Sequence, residues 1–416
     1  MWITRQKNRL QDLYREFPRP FWTLTGVTLI DQVGGALLYP FFALYFTSRF
    51  EVGMTQVGFL FALYAVSSFA GQLIGGALSD RIGRRTLLIF SLVTTSTSSL
   101  LMGIVESVTL FYALAIFVGV FVESGQPARQ AIVADLLPED KRAEGYAIIR
   151  VAFNLATAIG PAIGGFVASR SYLALFVADA VISLIAAFIV WRLMPETKPE
   201  LVEGEADESF ASSFGGYGKV LRDRLFVLFL LAGMLVGLVG MNLFTTLGVY
   251  LRDNFDVPTQ GYGLLLAMNA LLVVVFQIPV GRRAERYPPM IVMGIGSALY
   301  GIGFGMFAFV STVALFAAAM LVLTVGEMMI VPVSQAVVAR FAPEAMRGRY
   351  MAIYGMSWSL PIAVGPLMAG LVMDNADPRL LYWGSGLLGL LATAAYLGLH
   401  SQMREEPVAN LAEASD

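Results

Sequence analysis

Apolar residues run through this chain in long, nearly unbroken stretches, and polar residues collect in the short gaps between them. Stretches of this kind fall near 21–46, 54–79, 86–105, 109–134, 141–168, 171–193, 225–251, 260–282, 290–310, 312–339, 346–373 and 379–400. A bilayer core about 30 Å thick takes about 20 mostly apolar residues per helix, so each stretch is long enough to cross. They are rich in Leu, Ala, Gly and Met and lack the ten-residue dyad alternation of barrel strands. The pattern therefore predicts an all-α membrane protein of twelve transmembrane helices.

Composition agrees. Of 416 residues, 57% are hydrophobic and 14% charged, against about 25% charged in an ordinary soluble domain. The basic segment Arg5, Lys7, Arg9, Arg15 and Arg19 leads straight into a full-length span, which is not the layout of a cleavable signal. Basic residues cluster on alternate loops: Arg81, Arg84, Arg85, Lys141, Arg142, Arg282, Arg283, Arg286, Arg340, Arg347, Arg349 and Arg404 share a side with the N-terminus. Only Arg49, Arg170, Arg252 and Arg379 fall opposite. The positive-inside rule then puts both termini in the cytoplasm, in an inner or plasma membrane.

The chain has no cysteine and one histidine, His400. Thiol chemistry, disulfides and a Cys/His metal site are excluded, and no cofactor is expected. A net charge of −2 with scattered basic residues leaves no nucleic-acid footprint. No phosphate-binding G-x-x-x-x-G-K-[ST] loop occurs, and no span pairs a nucleophile with a base, so an enzyme is not expected.

The two halves share one register. A shift of 205 aligns Gly35 with Gly240, Tyr45 with Tyr250, Phe50 with Phe255, Gly58 with Gly263, Gln72 with Gln277, Gly76 with Gly281 and Arg81 with Arg286. It goes on through Pro127/Pro332, Gln130/Gln335, Pro138/Pro343, Glu139/Glu344, Arg142/Arg347, Gly160/Gly365, Pro161/Pro366 and Gly165/Gly370. Halves repeated six spans apart have the same orientation, with substrate expected near the midplane. The domains read as a cytoplasmic segment (1–20), a six-helix bundle (21–193), a linker (194–224) with an acidic run, a second bundle (225–400) and a cytoplasmic tail (401–416).

Between spans 2 and 3 lies Gly76-Ala-Leu-Ser-Asp80-Arg81-Ile-Gly83-Arg84-Arg85-Thr-Leu-Leu88. Here the chain resembles the major facilitator superfamily, whose loop at this place reads G-x-L-[AS]-D-R-x-G-R-[KR]-x-x-L. A reduced copy, Gly281-Arg-Arg-Ala-Glu285-Arg286, occupies the second half. The resemblance implies the major facilitator fold, two pseudo-symmetric six-helix bundles, with a cytoplasmic gate built on Gly76, Asp80, Arg81, Gly83, Arg84 and Arg85. Glycines there permit a tight turn, Asp80 offers an anion to a helix N-terminus, and the arginines can pair with carboxylates.

Span 5 carries Gly160-Pro161-Ala-Ile-Gly164-Gly165, resembling the G-P-x-x-G-G core of the superfamily's antiporters; helix packing is the competing explanation. A further family motif is missing, since Ala115 stands where an arginine four residues before Gly119 belongs.

Charges inside spans cost about 2.5–3.5 kcal/mol each at a helix centre, and they persist where they face a partner or a polar cavity. Asp31, Glu123, Arg129, Arg150, Asp179 and Glu327 are such residues. At 1.5 Å per residue, Asp31, Glu123, Arg150 and Glu327 share one slab near the midplane. Glu123 and Arg150 match in depth, which predicts an ion pair between them. Arg129 lies one turn lower with a structural role expected, and Asp179 is expected to hold a structural hydrogen bond or pair.

Glu327, in Thr324-Val-Gly326-Glu327-Met-Met-Ile-Val-Pro332 with no basic neighbour in its helix, is the leading proton site, and Asp31 follows. The Gly-Glu…Pro context is similar to that of twelve-helix multidrug drug:proton antiporters. Gln32, Tyr39, Phe153, Asn154, Asn242, Asn269, Gln277 and Trp358 are further cavity-lining candidates. The resemblance implies proton-coupled efflux of amphipathic, drug-like cations by a monomer that alternates its access, with small molecule, protons and lipid as its partners. A symporter or flippase for one metabolite, sugar or lipid is the alternative, and a non-transporting receptor the remote one.

Overall fold

The computed structural model describes residues 14–197, 218–343 and 346–413. Most of the acidic linker, the first thirteen residues, Glu344 and the last residues of the tail lie outside them, as does the side chain of Asp80.

Among the described residues twelve helices are long and apolar enough to cross a membrane: α1 (Arg19–Phe50), α2 (Met54–Ser79), α3 (Arg84–Ile104), α4 (Val108–Leu136), α5 (Glu139–Ala168), α6 (Tyr172–Leu193), α7 (Arg224–Thr245), α8 (Thr259–Ala284), α9 (Pro289–Met306), α10 (Val313–Val338), α11 (Arg349–Asn375) and α12 (Arg379–Met403). In hydrocarbon every backbone polar group must find its partner within the segment, and a helix does this unaided. Caps mark several starts. Ser107 Oγ accepts from Leu110 N at 3.4 Å and Asp223 Oδ1 from Phe226 N at 3.0 Å. Pro18, Pro138, Pro258 and Pro288 each stand just before a helix, where a missing N–H costs nothing.

Spans that the apolar pattern reads as continuous are broken at defined points. α1 passes through a 3₁₀ turn at Tyr39–Phe41, because Pro40 cannot donate to the helix ladder. α7 ends at Thr245 and a short helix, Leu247–Phe255, continues it. The break at Thr246 corresponds to Phe41 under the 205 shift. α4 is interrupted at Ser124, immediately after Glu123, and α11 at Trp358.

The chain divides into two compact units, residues 1–51 with 63–201, and residues 52–62 with 202–416. In the first unit α1 packs on α5 and α6, and α3 on α4 and α6. In the second, α7 packs on α11 and α12, and α9 on α10 and α12, which is the same pattern six helices on. Single bonds repeat as well. Tyr45 OH donates to Met102 O at 2.9 Å, and Tyr250 OH donates to Phe307 O at 3.2 Å; both partners obey the 205 shift. Glu51 and Asp256, equivalent residues, both end their helices in the left-handed region at φ 53°.

Candidate functional site

In the first unit two polar clusters lie within the spans. Glu123, at the end of the first segment of α4, accepts a hydrogen bond from Tyr64 OH at 2.7 Å and one from Gln72 Nε2 at 3.4 Å. The expected Glu123–Arg150 pair does not form: both oxygens of Glu123 are served by α2. Depth along a helix fixes height but not the side on which a residue points, and Arg150 is exposed.

Arg129 takes the other carboxylate. Its Nη2 donates to Asp31 Oδ2 at 2.8 Å, and Ser183 Oγ donates to Asp31 Oδ1 at 3.3 Å. The side chains of Arg129 and Asp31 are 9% and 13% exposed, so this pair is largely desolvated. Asp179 belongs to the same neighbourhood, pressed on α1 at Gly34.

The second unit carries the counterpart. Asn269 Nδ2 on α8 donates to Glu327 Oε2 at 3.0 Å and to Thr324 Oγ1 at 2.9 Å on α10. Asn269 and Thr324 are buried, and no basic residue pairs with Glu327 among the described residues. Tyr64 and Asn269 are equivalent under the 205 shift, so in each unit the second helix supplies the donor for a carboxylate on the fourth. Gln277, equivalent to Gln72, reaches the carbonyl of Met328 at 3.1 Å, and Met328 is the equivalent of Glu123. The acid of the second unit therefore sits one position earlier, 204 residues after Glu123.

Tyr39 stands near Tyr64 of the Glu123 cluster, and most other candidates lie elsewhere. Asn242 is buried and donates to Ser385 Oγ at 3.1 Å, an α7–α12 contact. Trp358 stands edge-on to Tyr354, with centroids 6.4 Å apart, beside a crevice also lined by Met234, Met293 and Tyr396. Tyr39, Phe153 and Asn154 are exposed and Gln32 is half-buried.

The loop motif is tied down within the first unit. Gly83 adopts φ 99°, a conformation that disfavours any side chain, and lets the chain turn from α2 into α3. Arg84 pairs with Asp135 on α4 and donates to Ala131 O at 3.3 Å, while Arg85 donates to Trp191 O on α6. Gly160 and Gly164 face α1, and a Cβ on Gly160 would come within 2.6 Å of the Ala36 carbonyl carbon.

Two residues that composition and spacing do not single out complete the picture. Glu196, just after α6, accepts from Arg84 N at 2.8 Å and Arg85 N at 3.2 Å, capping α3. Burial pushes its carboxyl up, but the backbone N–H groups of Arg85, Arg84, Thr197 and Thr86 outweigh that and hold it below the usual value. A lowered acid stabilises the fold at neutral pH, and that contribution fades as pH falls from the ordinary Glu range, about 4.3, through the lowered one. Glu196→Gln should cost about 1 kcal/mol or less at pH 7, since the site is exposed, and much less at pH 4. Thermal unfolding in detergent at the two pH values checks it.

Asp374, at the end of α11, accepts from Met54 N at 2.8 Å and Thr55 N at 2.7 Å. It caps α2 within the segment 52–62 that belongs to the second unit. The fixing of Glu123 by Tyr64 was within reach of the repeat, because Asn269 and Tyr64 share a register; the Glu196 and Asp374 caps link residues more than 100 apart and leave no local signal.

Known proteins resemble this chain along most of its length. The family profile of the Major Facilitator Superfamily matches residues 24–258 and 230–414. A Na(+), Li(+), K(+)/H(+) antiporter of Planococcus maritimus is 28% identical over 410 residues, covering 90% of this chain and 94% of that protein. The class H tetracycline resistance protein of Pasteurella multocida is 24% identical over 377 residues, covering 89% and 92%. Among solved structures, a variant of the nucleoside transporter NupG aligns with a TM-score of 0.78 at 12% identity, covering 92% of this chain and all of that one.

Proposed function

We propose that this chain, which belongs to the Major Facilitator Superfamily, exchanges protons for amphipathic organic cations and so exports them from the cell. That it is a multi-pass membrane transporter rather than an enzyme follows from the family and its relatives. The observation that carries the finer reading is Glu327, a carboxyl within a membrane span bonded to a neutral amide and paired with no basic residue among the described residues. Such an acid is free to trade a proton for a cation, because it cannot hold both at once.

Glu123, held by a phenol and an amide rather than by a guanidinium, is a second site of the same kind. Loading either acid with a proton weakens its attraction for a cationic ligand and favours the state that faces the other side of the membrane. A proton crossing with the field gains about 2.3 kcal/mol per 100 mV, so no nucleotide is required. The transporter works as a monomer with both termini in the cytoplasm.

A second reading, exchange of alkali cations for protons, is favoured by the Planococcus relative, which is a Na(+), Li(+), K(+)/H(+) antiporter. Proteoliposomes with an acid interior and an internal pH dye separate the two. Proton release on adding tetraphenylphosphonium or ethidium is the expected result. Release on adding only Na⁺, Li⁺ or K⁺ would turn the assignment to inorganic cations, and no release with any of them would remove proton exchange altogether.

A further inference from the structure

That mechanism leaves one buried acid unused. Asp179 on α6 is 5% exposed. A Cβ on Gly34 of α1 would fall 2.6 Å from its Oδ1, so the carboxyl is packed directly against that helix. Its polar neighbours are the Asp31 carboxylate of α1 and the Ser99 hydroxyl of α3, which is buried and makes no hydrogen bond among the described residues. Among the described residues no Lys or Arg pairs with it. Arg150, the charged residue in mid α5, does not reach it, and Arg192 is more than three turns away along α6. The cation that α4 brings, Arg129, is committed to Asp31 through Nη2 at 2.8 Å.

Arg129 is itself 8% exposed, and its Nε and Nη1 find no acceptor among the described residues. The cluster thus holds two carboxyl groups, one guanidinium and two unanswered guanidinium nitrogens, which carry three N–H donors. One guanidinium cannot neutralise two carboxylates. A buried carboxylate that faces another carboxylate, with no cation of its own, is strongly disfavoured, and it takes a proton instead.

From this geometry we infer that Asp179 carries a proton while Arg129 is held by Asp31, and that neutralising Asp31 turns the spare N–H groups of Arg129 onto Asp179, whose O–H bond then breaks. The inference rests on the proton-coupled reading above and adds to it a proton store in the first unit. The cluster has two neutral forms. In one, Asp31 is ionised and Asp179 protonated; in the other, the proton has moved from Asp179 to Asp31 and Arg129 has changed partner. If an organic cation rather than a proton settles on Asp31, the Asp179 proton leaves to solvent. One cation bound then balances one proton released. Asp179 is in this scheme a proton carrier, and Arg129 a positioning residue that couples the two acids.

Infrared spectra of the full-length protein in lipid at neutral pH test this directly. The difference between wild type and Asp179→Asn should contain the C=O band of a protonated carboxyl. Asp31→Asn should erase the same band although Asp179 is intact, because Arg129 is then released to pair with it. Survival of the band in Asp179→Asn would show that another acid carries the proton, and survival in Asp31→Asn would overturn the relay. Should Asp179→Asn fail to fold, Ser99→Ala serves instead: a shift of the band without loss is expected, and an unmoved band counts against Asp179. No transport is measured, so a protein that passes this test yet exchanges no protons refutes the antiport reading and leaves the stored proton in place.

Discussion

Glu327→Gln is expected to abolish uphill accumulation of substrate while leaving the protein folded. One pH unit across the membrane is worth about 1.4 kcal/mol per proton, or about a tenfold concentration ratio for a substrate exchanged one-for-one. Gln keeps the shape of the protonated acid and can still meet the Asn269 amide through its own oxygen, which holds packing on α10 close to native. It cannot release a proton. Vesicles carrying the variant should therefore level out at a ratio near one whatever pH gradient is imposed, while downhill exchange of labelled substrate for unlabelled substrate continues. Wild-type accumulation by this variant would take Glu327 out of the coupling. Loss of both uphill and downhill movement would instead mark it as a binding group alone.

Arg129→Ala should be the most damaging single change to stability. Removing one partner of a buried pair typically costs about 3–5 kcal/mol, because the other charge is left without compensation. Here the lower end applies, since Asp31 is able to take a proton once the guanidinium is gone. The diagnostic is the double variant. Asp31→Asn placed in the Arg129→Ala background removes the orphaned charge and should restore most of the lost stability, whereas independent effects would add. Circular dichroism melts in detergent give the comparison, and tryptophan emission is a second probe in a chain with no cysteine for thiol dyes.

The class, the twelve spans and the duplicated register were all legible in the sequence, because bilayer thickness and backbone hydrogen bonding leave a chain so few solutions. Equivalent residues do equivalent work, as Tyr45 and Tyr250 show by bonding to carbonyls that are themselves a repeat apart. Within the candidate site the charged and polar residues could be picked out from the sequence, but not how they pair. Glu327 and Asn269 were both apparent, but not that one holds the other. Counting along α4 sets Arg129 a turn below the other charges, but a count of Cα rise leaves out the reach of the arginine side chain, which meets Asp31. Glu123 and Arg150 agreed in height and still did not meet, because linear spacing says nothing about azimuth when the helix axes are unknown. Asp374 and Glu196 cap helices from far along the chain, a relation that only folding creates.

The one-residue slip between Glu123 and Glu327 makes the two halves chemically unequal. An α-helix turns by about 100° per residue, so the second acid leaves its helix in a different direction from its counterpart, and the equivalent donor that meets it is an amide, Asn269, where the first half has a phenol, Tyr64. A perfect duplication would have produced twin carboxylates at matching positions. The slip breaks that symmetry, so the duplicated scaffold carries two chemically distinct acids, one in each unit.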